Sequence, residues 1–176
     1  FKFKKVRSTN NTAIRIIKKT HYKYGMVISE SQTNGKGQYG RKWISNKGNL
    51  FVTFFHEVNK TKLSIATITK LNCLLIKKLI SKYTNKKILY KKPNDLFINK
   101  KKICGILQEI IFMQNKKYLI TGIGININKS PYIKKCPTTN LNELTNKHIK
   151  INEIEKSLKQ IFENNLLKMY NLKVNN

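Results

Sequence analysis

The chain has 176 residues, 36 Lys and Arg against 8 Asp and Glu, a formal net charge of +28 and 40% hydrophobic residues. That composition suits one domain with a real core and excludes a disordered chain. It contains no run of about 18 apolar residues to span a membrane, and FKFKKVRSTNN carries no apolar signal-peptide block.

The predicted elements run in order as follows. Ser8-Thr9-Asn10 offers N-cap side chains for a short helix with Ala13, Ile14 and Ile17 on one side. Residues 25–31, GMVISES, read as a buried strand, and 49–55, NLFVTFF, as a β-branched and aromatic one. Over 63–83, Ile65, Ile68, Leu71, Leu75 and Leu79 recur at helical spacing. Strands follow at 88–90, 96–98, 102–112 and 117–127, and 128–150, with Pro131 and Pro137, is loop-like. Asn152 and Glu155 form a capping-box pattern before a last helix whose apolar face holds Ile154, Leu158, Ile161, Phe162, Leu166 and Met169. Strands clustered mid-chain with helices around them predict α+β, a mixed sheet with helices packed on it.

Between the first two long strand patterns lies SQTNGKGQYGRKW, 31–43, with three glycines and three cations. Gly35-x-Gly37-x-x-Gly40 matches the dinucleotide fingerprint, yet RKWISNKGN and a strand follow where that fingerprint needs a helix. A phosphate-binding P-loop fails too, because Arg41-Lys42 stands where Lys-Ser/Thr is required. What remains is a loop rich in backbone N–H groups and cations, able to wrap an anion without a helix dipole. A solvated turn with Trp43 as a core anchor is the alternative at this point.

Further short motifs follow in order: Lys91-Lys92-Pro93-Asn94-Asp95, Lys102-Ile103-Cys104-Gly105-Ile106-Leu107 and Gly122-Ile123-Gly124-Ile125-Asn126. With Ser8-Thr9-Asn10 and Gln32-Thr33-Asn34-Gly35-Lys36-Gly37, they span about residues 6 to 128 and resemble the catalytic domain of biotin protein ligases. The resemblance implies the fold shared with lipoate ligases and class II aminoacyl-tRNA synthetases. It also implies activation of biotin by ATP to biotinyl-5′-AMP and transfer to a lysine of a biotin carboxyl carrier domain, typically of acetyl-CoA carboxylase. Biotin, ATP and Mg²⁺ are the implied small molecules.

Under that resemblance Lys102 bridges the biotin carboxylate and the α-phosphate, and Arg41 reaches phosphate. Two anions have to meet, so cations are needed to offset their repulsion. Ser8, Thr9, Asn10 and Gln32 face the ureido ring, with Gly35, Lys36, Gly37, Gln38 and Gly105 completing the biotin site. Lys36, Arg41, Trp43, Lys91, Asn94, Lys102 and Asn126 serve the nucleotide, and Asp95 is a candidate near Mg²⁺. For two of these residues a plain reading stands beside the functional one: Asn10 as a helix cap, and Asp95 as a brace for the Pro93-Asn94 turn. His21, His56 and His148 fall outside every motif and read as structural or surface residues. Residues 34–42 are expected to fold over the adenylate, a mixed anhydride that water would hydrolyse, and to order on binding.

This sequence departs from the family pattern in having Lys92 where Trp is usual and Gln38 at a position that is Arg in some members. Neither an N-terminal helix-turn-helix domain nor a C-terminal small β-barrel is recognisable within 1–176, so one catalytic domain, minimal or truncated, without sequence-specific DNA binding is expected. No membrane partner is expected, and monomer and homodimer both stay open. Cys73, Cys104 and Cys136 show neither CxxC spacing nor a Cys/His cluster, which argues against a disulfide framework or zinc site and fits a reduced cytoplasm. A lipoate–protein ligase or octanoyltransferase would share the fold and the lysine. A basic nucleic-acid-binding protein is the alternative of another class. The excess charge is nearly all Lys, is spread along the chain and comes with abundant Ile and Asn, which is a compositional bias rather than a binding module.

Overall fold

The computed structural model describes residues 1–58 and 63–170, and the side chains of all of these but 166–170. A seven-stranded sheet in the order β1-β2-β3-β7-β6-β5-β4 forms the middle layer. The strands are β1 (Lys2–Phe3), β2 (Tyr24–Ser29), β3 (Leu50–Glu57), β4 (Ile88–Lys91), β5 (Asp95–Ile98), β6 (Lys101–Met113) and β7 (Lys116–Ile125). Neighbours are antiparallel except β1 and β2, which makes the sheet mixed.

Alternation along the strands sorts side chains onto two faces. Leu50, Val52 and Phe54 of β3, Cys104 and Ile106 of β6, and Ile123 and Ile125 of β7 point to the larger core. There they meet α2 (Ile65–Ile80) and α4 (Ile151–Tyr170), with Phe54 stacked on Phe162 at 4.0 Å between ring centroids. The opposite face carries α1 (Thr9–Thr20). Its Ala13 and Ile17 pack on Val27, Phe55, Tyr118 and Ile120, and Ile14 sits beside them. α1 covers one end of that face only; the rest is left to loops.

Several expectations need correction. The buried stripe of α2 is Ile68, Thr69, Asn72, Cys73, Ile76, Leu79 and Ile80. Ile65 is exposed, and Leu71 and Leu75 are half-buried at the stripe's edge. The true stripe contains polar residues, Thr69 among them, whose hydroxyl bonds Gln108 of β6. Asn152 does not cap α4: the helix already begins at Ile151, and Glu155 is drawn instead to Lys2 Nζ, 2.6 Å away. The face of α4 does bury Ile154, Leu158 and Phe162; Leu166 and Met169 lie outside the described side chains. Two elements were not foreseen. β1 is one, and α3 (Leu141–Thr145), inside the loop-like region and capped by Asn140, is the other.

Candidate active site

Three glycines lie on the face that carries α1, at the end of that helix and beyond it. Gly105 of β6 pairs with Gly124 of β7, and Gly122 pairs with Leu107. On β7, Gly124 also faces Phe51 and Gly122 faces Thr53 of β3. The row therefore reads Asp95, Gly105, Gly124, Phe51 across four strands. Side chains absent from the middle of a sheet leave a floor that a flat ring can approach closely. A cavity of about 620 Å³ lies over that floor.

Gln32 and the segment 36–43 supply one wall of it. Gly37 N–H donates to Arg41 O at 2.7 Å and Trp43 N–H to Gly35 O at 2.8 Å, so the segment is a tight hairpin with a single 3-10 turn at Gln38–Gly40. Tyr39 at its tip has φ +55° and is 87% exposed. Trp43 at its base lies flat on the glycine floor: a Cβ on Gly105 would stand 2.6 Å from Trp43 Cζ3, and one on Gly124 2.6 Å from Trp43 Nε1. The indole N–H is buried and has no hydrogen-bond partner among the described residues.

Lys102 enters from the second position of β6. Its Nζ lies 2.7 Å from Asp95 Oδ1 and 5.1 Å from the Trp43 ring centroid, and both charged side chains are largely covered. Its backbone is clamped by the region that looked like a mere loop: Lys102 N–H donates to Pro137 O at 2.8 Å, and Thr139 N–H to Lys102 O at 3.0 Å. That clamp brings Ile133, Lys135 and Cys136 into the cavity wall. Sequence reasoning missed them, since no regular element marks the segment.

Most of the named residues converge here. Ser8 caps α1, its hydroxyl accepting from Asn11 N–H. Gln32 Oε1 accepts from Thr9 N–H at 2.8 Å and from Thr9 Oγ1 at 3.1 Å, and Gln32 Nε2 donates to Ser45 Oγ at 2.9 Å. Asn10 is therefore no cap; it sits in the first turn of α1 and crosses to Thr53 and Glu109. Lys36, Gly37, Gln38 and Arg41 line the hairpin side, with Lys91, Lys92 and Asn94 opposite. Asn94 Nδ2 donates to Ile106 O at 2.6 Å. Lys42, Tyr39, Phe51 and Phe97 also contribute and were not anticipated.

Two expected residues stand apart. Gly35 is buried at the root of the hairpin, where a Cβ would be 2.7 Å from Ser45 Oγ, and it does not line the cavity. Asn126 lies below the floor. Its Nδ2 donates to Thr139 O at 3.1 Å, and its Oδ1 accepts from Asn49 Nδ2 at 3.4 Å. Its visible work is to hold the loop that clamps Lys102.

The electrostatics favour anions. Lys36, Arg41, Lys42, Lys91, Lys92, Lys102 and Lys135 line the cavity, and among its described lining residues Asp95 is the one carboxylate. No three His, Cys, Asp or Glu among the described residues cluster as metal ligands. Asp95 pairs with Lys102 Nζ rather than bracing the Pro93-Asn94 turn. Burial pushes the Cys73 thiol up to about 12 and Cys104 well above the usual range.

This fold has known counterparts. The sequence profile of the Biotin/lipoate A/B protein ligase family aligns with residues 2–126. The chain belongs to that family. It is 29% identical over 126 residues to the bifunctional ligase/repressor BirA of Bacillus subtilis, and 30% identical over 125 residues to biotin–protein ligase 2 of Arabidopsis thaliana. The chain spans 39% and 36% of those two relatives' lengths. Among solved structures, the biotin protein ligase of Aquifex aeolicus in complex with biotin and ATP superposes with a TM-score of 0.81 at 28% identity. That match covers 97% of this chain and 71% of the other. The architecture is thus the class II aminoacyl-tRNA synthetase-like fold of biotin and lipoate ligases. No helix among the described residues is long and apolar enough to cross a membrane.

Proposed function

We propose that the protein is a biotin protein ligase that joins biotin to ATP and passes the biotinyl group to a lysine of a biotin carboxyl carrier domain, as of acetyl-CoA carboxylase. The observation that carries this reading is the convergence of Lys102, the glycine floor and the Ser8–Asn10–Gln32 wall on one cation-lined cavity. The names of the relatives point the same way.

In the first step a biotin carboxylate oxygen attacks the α-phosphorus of ATP. An O–P bond forms, and pyrophosphate leaves with the electron pair of the bond it breaks. Both reactants are anionic, so an ammonium between them lowers the barrier by stabilising charge that builds in the transition state. Lys102 is that ammonium, held in place by Asp95 and by its clamped backbone. Arg41 and Lys36 on the hairpin neutralise the phosphates from above. In the second step the carrier lysine, as free amine, attacks the acyl carbon; AMP leaves and the amine loses a proton. Mg²⁺ would accompany the ATP phosphates, with Asp95 the carboxylate in the cavity lining that would help to hold it.

Ser8, Thr9, Asn10 and Gln32 meet the polar edge of the ureido ring, and Phe51 and Leu107 offer apolar surface to the rest. The decisive experiment incubates the protein with ATP, Mg²⁺, biotin and a carrier domain and reads intact mass. Addition of one biotinyl group supports the reading. Turnover of lipoate or octanoate in place of biotin, or of nothing, overturns it.

A further inference from the structure

We infer that Glu109 is a positioning residue that fixes the polarity of the Asn10 amide and thereby selects a ureido-bearing acid; this rests on the proposed function. Asn10 lies over Gly122, where any Cβ would collide with its amide, and it is 3% exposed. Its Nδ2 donates to Glu109 Oε2 at 2.7 Å, and its Oδ1 accepts from Thr53 Oγ1 at 2.6 Å. The three residues come from α1, β3 and β6. Glu109 stands opposite Ile120, one pleat along the same face from Leu107, and so reaches Asn10 diagonally across Gly122.

A carboxylate can only accept, so the atom facing Glu109 has to be the NH₂ group. The carbonyl is then turned to Thr53. Each end of the amide keeps one free valence, a second N–H and a second lone pair. A ureido ring offers both N–H and C=O groups and can use that fixed edge. An alkyl or dithiolane acid has neither. Buried polar groups built to pair with a ligand penalise one that cannot pair.

The test measures steady-state kinetics of adenylate formation in the full chain. Glu109→Ala raises the biotin KM on the order of tenfold, the loss expected for one charge-assisted hydrogen bond. Glu109→Gln, whose carbonyl accepts the same bond without charge, raises it about threefold. The ATP KM and the kcat at saturating biotin stay within about twofold of wild type in both. A wild-type biotin KM in either variant overturns the inference, as does an equal loss in the ATP KM or in kcat. Should Glu109→Ala not fold, Glu109→Gln decides alone by the same criteria. Failure of the wild-type chain to adenylate biotin sinks the proposed function instead, which keeps the two failures apart.

Discussion

Lys102 Nζ and Asp95 Oδ1 stand 2.7 Å apart in the wall of the cavity, and the Trp43 ring centroid lies 5.1 Å from the same ammonium. The carboxylate comes from the first residue of β5, and β5 and β6 are register-paired, with Asp95 facing Gly105. The missing side chain at Gly105 leaves room for both Trp43 and Asp95, since a Cβ there would lie 3.3 Å from Asp95 Oδ1. Pairing, floor and cation are therefore one construction. The pairing with Asp95 fixes where the Lys102 ammonium sits in the cavity wall.

Lys102→Ala removes that charge. Pyrophosphate release in the presence of biotin falls by on the order of a hundredfold or more, as for loss of a group stabilising transition-state charge. The fold survives, with about 1–3 kcal/mol lost because Asp95 is left partly buried and unpaired. Asp95→Asn keeps the ammonium and retains more activity than Lys102→Ala. Pyrophosphate release by Lys102→Ala at the wild-type rate removes Lys102 from the reaction.

Trp43 is the one tryptophan of the chain, so its emission reports on the floor directly. Its indole N–H is buried without a partner among the described residues, an arrangement with a cost that a ligand acceptor can relieve. Adding ATP and biotin together shifts the emission maximum and shields it from acrylamide. Gly124→Ala pushes a methyl into the ring, costs about 1–3 kcal/mol through overpacking and red-shifts the emission of the free protein. An unchanged spectrum in that variant would show that the indole does not rest on Gly124. The hairpin should also gain protection from proteolysis at Arg41-Lys42 when both substrates are present, which checks its closure as a lid.

The three cysteines separate by environment. Burial, with the nearby Asp95 charge second, pushes the Cys73 thiol up to about 12. Burial also raises Cys104 well above the usual range, with Cys73 and Asp95 adding to it and Lys102 opposing. Both thiols stay protonated and inert at neutral pH. Cys136 is half-buried and borders the cavity. At pH 8 a thiol reagent modifies one site in the native chain and three in denaturant, Cys136→Ser abolishes the native reaction, and bound substrates slow it. Equal native labelling of Cys73 or Cys104 would contradict their burial.

The sequence carried the strands well because β3, β6 and β7 are long runs rich in β-branched and aromatic residues, buried almost continuously in β3 and β7. The glycine motifs were also readable, since Gly105, Gly122 and Gly124 interrupt otherwise apolar strands. The α2 face was not, because its buried stripe includes Thr69 and Asn72, which a hydrophobic period skips. The lining from Ile133, Lys135 and Cys136 was equally hidden. It depends on two backbone hydrogen bonds between Lys102 and residues 137 and 139, which leave no mark in side-chain pattern. Glu109 went unnoticed for a related reason: its role exists only once β6, β3 and α1 meet around Gly122.

His56 sets an acid limit. It is buried in β3, and burial lowers its pKa from 6.5 to about 3. The folded chain keeps it neutral, whereas the unfolded chain binds a proton as pH drops through 6.5. The unfolded state therefore holds more protons between those two values, and stability falls as pH falls across that window. At about 1.4 kcal/mol per pH unit at most, lowering pH from 7 to 5 costs about 2 kcal/mol from this residue alone. Urea midpoints measured at the two pH values check it. His56→Gln starts less stable but shows a shallower dependence, and a slope identical to wild type would mean that His56 is not the group that titrates on unfolding.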